Sequence, residues 1–195
     1  VFGRLLSNKK VLGYIFCNSL SYSGMFCFLS AGSIVYTGLF GVAPKHFGYF
    51  FLLNILVMMT ATSLNGKFVT KIGVEKSLRL GLTIQLIAGV WLLVCGIFHL
   101  GLWATVVGVA TYVGLVSVVS SSANAAILDM YPEVAGTANS LTGMLRFGIG
   151  SIVGMLLALF TIDTERPMVF AMAICIVVAV ISYVGLVRGE PQAHN

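Results

Sequence analysis

From Leu80 to Leu128 the chain reads LGLTIQLIAGVWLLVCGIFHLGLWATVVGVATYVGLVSVVSSSANAAIL, without one charged side chain. A helix needs ~20 apolar residues to cross the hydrocarbon of a bilayer. This stretch therefore holds two helices, with a turn at His99-Leu100-Gly101, the most polar and glycine-marked point near its middle. Outward from it lie further uncharged runs: Val11 to Pro44, His46 to Gly66 and Pro167 to Val187. A fifth, Val134 to Ile162, is broken only by Arg146. Six transmembrane helices are expected, at 11–36, 46–65, 77–98, 102–127, 136–160 and 167–187. Barrel strands would alternate polar and apolar residues, and these runs do not. The expected class is an all-α membrane protein.

Composition excludes the other classes. Of 195 residues 58% are hydrophobic and 9% charged, with a mean hydropathy of +1.02. Soluble domains carry charge on about a quarter of their residues, so this chain could not clothe a globule in polar surface. Cys17, Cys27, Cys95 and Cys175 all sit in apolar stretches with no close pair, which fits small buried hydrophobes and no disulfide framework. The chain opens Val1-Phe2-Gly3-Arg4, with neither an initiator methionine nor a signal-peptide pattern, and reads as a piece of something longer.

The net charge of +5 is topological. Arg4, Lys9, Lys10, Lys67, Lys71, Lys76, Arg79 and Arg188 fall on one side of the expected membrane, and only Lys45 and Arg166 on the other. Bases collect on the cytoplasmic side, so both termini are expected there and nucleic acid is not an expected partner. The connection Asp129–Glu133 carries no base and leaves this orientation unaffected.

The helices differ in polarity. The third has little beyond Thr83 and Gln85, and the sixth only Ser182 and Tyr183, so both are expected to face lipid. The first carries Tyr14, Asn18, Tyr22 and Met25 on one face, and the second Asn54, Met58, Thr62 and Asn65. The fourth carries Ser117, Ser120, Ser121 and Asn124, and the fifth Asn139, Thr142, Arg146 and Gly150. One or two such groups would only hydrogen-bond between packed helices. Four coherent stripes point to a bundle lining an aqueous cavity, with Asn18, Tyr22, Met25, Asn54, Met58, Ser117, Ser120, Asn124, Asn139, Thr142 and Arg146 as its candidate lining. Arg146 lies about 15 Å into its helix at ~1.5 Å per residue, near mid-bilayer, where arginine costs at least ~2.5–3.5 kcal/mol. The six acids, Glu75, Asp129, Glu133, Asp163, Glu165 and Glu190, all lie at boundaries, in loops or in the tail. The guanidinium must therefore meet carbonyls, polar side chains, water, a substrate or a carboxylate from another segment. Gly150 and Gly154 form a small-x-x-x-small face, read first as close helix packing and second as a bend that moves.

Ile127–Leu141 (ILDMYPEVAGTANSL), followed by Leu145–Gly150 (LRFGIG), resembles the carboxyl-terminal half of the Bcr/CflA drug-resistance transporters; so do Val42–Tyr49 and Gly108–Gly114. The resemblance covers essentially the whole chain. It implies one half of a major facilitator fold, with twelve helices in two six-helix halves in a bacterial inner membrane, exporting drug-like molecules by proton antiport. It also implies that the first, second, fourth and fifth helices contribute to the cavity, the same division the polarity gives. Gly66–Gly73 is similar to the superfamily's loop motif, with Thr70 where the stronger copy has aspartate. The implied partners are the lipid bilayer, protons, a small-molecule substrate and the missing amino-terminal half, which would carry the proton-coupling acids. Rhomboid, aquaporin and nucleotide-binding motifs are absent, and His46, His99 and His194 read as interfacial fillers. No metal site, cofactor or enzymatic activity is expected. The alternatives are a half that moves an endogenous metabolite, or a packing module without transport of its own.

A cysteine placed at Pro44 is expected to react with an impermeant thiol reagent from outside the cell, and one at Gly73 only from inside. The reverse labelling pattern would contradict the orientation.

Overall fold

A computed structural model of the chain describes residues 8–159 and 164–188, so Arg4, Asp163, Glu190 and His194 lie outside the described residues. Six helices are long and apolar enough to cross a membrane: α1 (Lys9–Ser33), α2 (Pro44–Ile72), α3 (Val74–Phe98), α4 (Leu102–Met130), α5 (Ala135–Ala158) and α6 (Arg166–Tyr183). No strand occurs among the described residues. The chain is an all-α, multi-pass membrane protein, as expected.

Local chemistry sets the helix ends. The Asn8 side chain caps α1 by accepting from the amides of Lys10 and Val11 at 2.9 and 3.4 Å, satisfying donors that a helix start leaves free. Pro44 and Pro167 stand in the first turns of α2 and α6, where no intrahelical N–H is needed. Pro132 ends α4 by forcing Tyr131 out of helical geometry. Three helices run past their expected ends, α4 by three residues to Met130. α1 continues as a π-helical turn over Ile34–Leu39, where Tyr36 packs its ring against Phe28, Phe40, Phe47 and Phe50 at 5.3 to 6.4 Å. α2 runs to Ile72 because nothing from Gly66 onward breaks it until Gly73, whose φ of +86° suits glycine alone. Its 29 residues reach about 43 Å at ~1.5 Å per residue, so its last two turns carry Lys67 and Lys71 beyond a ~30 Å hydrocarbon layer.

α1 is the spine of the bundle. It packs against α5, α6 and α4; α4 in turn packs against α3 and α2, and α3 against α6. The fully buried side chains include Ile15 and Phe28 of α1, Leu78 and Leu92 of α3, Tyr112 and Ile127 of α4, and Met168, Met172 and Ile176 of α6. The Gly150-x-x-x-Gly154 face meets α1 directly. A Cβ at Gly150 would lie 2.5 Å from the Phe26 ring and one at Gly154 2.8 Å from the Ser30 hydroxyl, so the stripe serves close packing.

The outer face of α3 does expose Ile87, Val90, Trp91 and Ile97, but Gln85 corrects the expectation that the helix is merely lipid-facing. Gln85 is completely buried. Its Oε1 accepts from the Ser21 hydroxyl at 2.7 Å, its Nε2 donates to the Tyr112 carbonyl at 3.2 Å, and the Tyr112 hydroxyl donates back to the Ser21 carbonyl at 3.5 Å. One amide thus stitches α1, α3 and α4 together. Tyr14 likewise leaves the polar stripe of α1, packing its ring 6.2 Å from Tyr183 of α6.

Each end of the bundle has a polar clasp. At one, Asn65 of α2 bonds Ser77 of α3, Ser122 of α4 donates to Ser77 at 3.3 Å, and Arg79 pairs with Glu75 while donating to the Tyr183 hydroxyl at 3.2 Å. At the other, Arg166 donates from Nε to the Gly96 carbonyl at 3.1 Å and from Nη2 to His99 Nε2 at 2.9 Å. A guanidinium only donates, so His99 Nε2 accepts and Nδ1 donates to Glu165 at 2.7 Å. His99 is therefore a structural link between the α3–α4 turn and α6, more than an interfacial filler.

Gln85→Leu is expected to lower the unfolding free energy by about 0.6–1.7 kcal/mol, the span of interhelical hydrogen bonds in membranes. Thr83→Val, two residues away and bonded only to its own helix at the Arg79 carbonyl (2.8 Å), should leave it within about 0.5 kcal/mol. Denaturation in mixed micelles measures both, and equal effects would contradict the stitching role.

Candidate functional site

The eleven candidate residues do not form a single cluster. Asn18 of α1 is buried and donates from Nδ2 to Asn124 Oδ1 of α4 at 3.3 Å, its own Oδ1 lacking a partner. Met25, Asn54 and Met58 close a separate void of about 30 Å³ between α1, α2 and α4, with Phe28, Phe51 and Val113. Asn54 Nδ2 is buried there without an acceptor. Ser117 lies on a seam between α2 and α4, sharing a 2.6 Å hydrogen bond with Thr62, and Asn65 donates to Ser121 at 3.5 Å beside it. Much of the polarity of α2 and α4 is therefore consumed in holding these two helices together.

A further group gathers around Arg146. Its Nη1 donates to the Ser120 hydroxyl of α4 at 3.0 Å. Its Cζ sits 4.6 Å from the centroid of the Tyr22 ring of α1 and 5.0 Å from that of Phe147. Phe26, one turn beyond Tyr22, completes the enclosure, with ring centroids 6.0 Å from Tyr22 and 6.1 Å, edge-on, from Phe147. Thr142, a turn earlier on α5, is buried but bonds only the Ala138 carbonyl of its own helix at 2.8 Å. Asn139 is exposed and stands apart from the cluster.

Magnitudes indicate what this arrangement leaves undone. Each cation–π contact contributes about 0.5–2 kcal/mol, and a hydrogen bond from a charged donor about 1.5–3. Together they offset an insertion cost of ~2.5–3.5 kcal/mol. Yet Arg146 Nε is sealed from solvent and has no acceptor, an omission worth about 1–3 kcal/mol. Among the described residues the recorded acid–base pairs, Arg79–Glu75 and His99–Glu165, lie at the bundle ends. No described carboxylate forms an ion pair with Arg146. The site holds an uncompensated positive charge with donor capacity to spare.

Sequence reasoning singled out Arg146, Tyr22 and Ser120 but missed the aromatic partners. Phe26 follows Tyr22 at four-residue spacing, a signal that was present. Phe147 adjoins Arg146 in sequence, and its turn toward the guanidinium is a tertiary outcome.

The chain is 48% identical over 179 residues to the bicyclomycin resistance protein homolog of Haemophilus influenzae, covering 92% of this chain and 45% of that protein. It is 27% identical over 186 residues to the uncharacterized MFS-type transporter YdgK of Bacillus subtilis, covering 95% of this chain and 46% of that one. No protein-family model matches the chain, and no solved structure matches it. The chain thus spans about half the length of the curated relatives it matches. Six membrane-length helices and near-half identity across 92% of the chain lead to one conclusion: it belongs to the major facilitator transporters, in the group that includes the bicyclomycin resistance proteins.

Proposed function

We propose that this chain is the carboxyl-terminal half of a twelve-helix transporter that exports drug-like small molecules across a bacterial inner membrane in exchange for protons, with both termini cytoplasmic. The observation that carries the reading is the Arg146 cluster: a charge deep in a span, held by Ser120, Tyr22 and Phe147, with no carboxylate paired to it among the described residues. A membrane charge so placed marks a substrate or ion path by default. The name of the Haemophilus influenzae relative, a resistance protein homolog, supplies the substrate type.

The exposed surface supports a missing half. On α5, Met144, Gly148, Ser151 and Met155 recur at four- and three-residue steps and are all exposed. Small residues and methionines suit helix packing better than lipid contact. Most of α2 is exposed as well, with Leu52, Leu56, Met59 and Phe68 prominent. In this reading the amino-terminal half covers these two helices, and alternating access is the rocking of one half against the other around a midplane site. It also supplies the proton-carrying acid, since the described acids lie at helix ends and connections. The excess of bases at one end supports the cytoplasmic orientation.

Two outcomes are expected. Reconstituted alone, this half should show no export driven by a proton gradient, and gradient-driven export by it would contradict the need for a second half. In the full-length transporter, Arg146→Ala should lower transport per folded molecule by about 30- to 150-fold, corresponding to a lost charged hydrogen bond of about 2–3 kcal/mol. Its melting temperature should change little. Normal turnover with a lowered melting temperature would make Arg146 a structural tie.

A further inference from the structure

We infer that the Arg146 cluster is a receptor for an oxygen acceptor, a carbonyl or carboxylate, carried on a flat or apolar body, and that it selects neutral and anionic molecules over organic cations. The inference rests on the transport reading above and names the substrate class of that same site.

Four features carry it. First, the guanidinium is used on one side only. Nη1 is spent on Ser120, while Nε has no acceptor. Nη2 makes no hydrogen bond among the described residues, and because Nε is sealed from solvent the side chain must shift before the Nε–Nη2 fork can grip a planar pair of oxygens, the geometry in which arginine differs most from lysine. Second, Ser120 accepts from Arg146, which leaves its hydroxyl proton available to the same ligand. Third, the rings of Tyr22, Phe26 and Phe147 meet edge-to-face or tilted at 6.0 to 6.1 Å, forming an apolar wall beside the donors against which an apolar body can pack.

The fourth feature excludes cations. Aromatic side chains in a membrane cavity would ordinarily attract a quaternary or delocalised cation. Here the faces of Tyr22 and Phe147 are already occupied by the protein's own guanidinium, at 4.6 and 5.0 Å. Among the described residues Arg146 has no carboxylate partner in an ion pair. An arriving cation would find its aromatic cage filled and a like charge beside it.

Fluorescein and rhodamine 123 test this directly, because they share a xanthene body. One carries carboxylate and phenolate oxygens, and the other is a delocalised cation. Their accumulation is measured in efflux-deficient cells producing the full-length transporter. Fluorescein accumulation is expected to fall and rhodamine 123 to stay at the vector-only level. Arg146→Gln, which keeps N–H donors without the charged fork, should reduce fluorescein export about tenfold, and Arg146→Lys should restore part of it. Folded protein is quantified for each variant by fluorescence size-exclusion. Export of rhodamine 123 equal to that of fluorescein would overturn the inference, as would fluorescein export unchanged in a folded Arg146→Gln protein. Bicyclomycin resistance without fluorescein export would also overturn it, while leaving the transport reading intact. Absence of both resistance and dye export would instead overturn the transport reading.

Discussion

Inside hydrocarbon, a hydrogen-bonding group has no water to fall back on, and the rest of this structure follows from that constraint. Each polar side chain in the spans must find a partner within the bundle or face something other than lipid. Gln85 finds Ser21 and Tyr112, Thr62 finds Ser117, and Asn18 finds Asn124. These bonds place α1 against α3 and α4, and α2 against α4. Where partners run out, the remaining demand concentrates. Asn18 Oδ1, Ser19 Oγ, Asn54 Nδ2 and Arg146 Nε stay buried and unpaired, and all four belong to α1, α2 and α5.

How far the sequence reveals this depends on the kind of information. Helix number and class are readable because span length and charge exclusion act locally. Arg146 stands out because a charge in an apolar run has few physical accounts. The same reading undervalues Gln85, since one amide in an apolar helix looks minor until its partners on two other helices are known. It also places Tyr14 with Asn18 and Tyr22, although rotation of α1 against α6 gives Tyr14 to Tyr183. The polar stripes of α2 and α4 are real, but periodicity cannot distinguish a stripe facing water from one facing another stripe. Thr62–Ser117 and Asn65–Ser121 are of the second kind. Ser120, on the same helix as Ser117, is buried and accepts from Arg146 of α5.

Division of labour along α1 gives the bundle its asymmetry. One of its faces is packed tightly enough against α5 that only glycine fits at position 150 beneath Phe26. That contact sets Arg146 beside Tyr22 and determines which side of the guanidinium is occupied. A larger residue at 150 would move α5 and the charge together. Gly150 and Arg146 are therefore linked through Phe26, although the two are not neighbours in sequence. The clasps at the two ends, around Ser77 and around His99, hold α3 and α6 as a backing layer to this wall.

The central claim is that the half-exposed surface beside Arg146 borders water inside a protein-walled cavity and not lipid. Phe147 is 49% exposed and adjoins the guanidinium, whereas Ile174 is 62% exposed on the outer face of α6. A nitroxide attached at Phe147→Cys or at Ile174→Cys in the membrane-embedded full-length transporter reports this through its collisions with oxygen, which partitions into lipid, and with a water-soluble nickel chelate. The account predicts that the label at 147 collides mainly with the chelate and the label at 174 mainly with oxygen. Oxygen-dominated collisions at both positions would place Arg146 against lipid and contradict it.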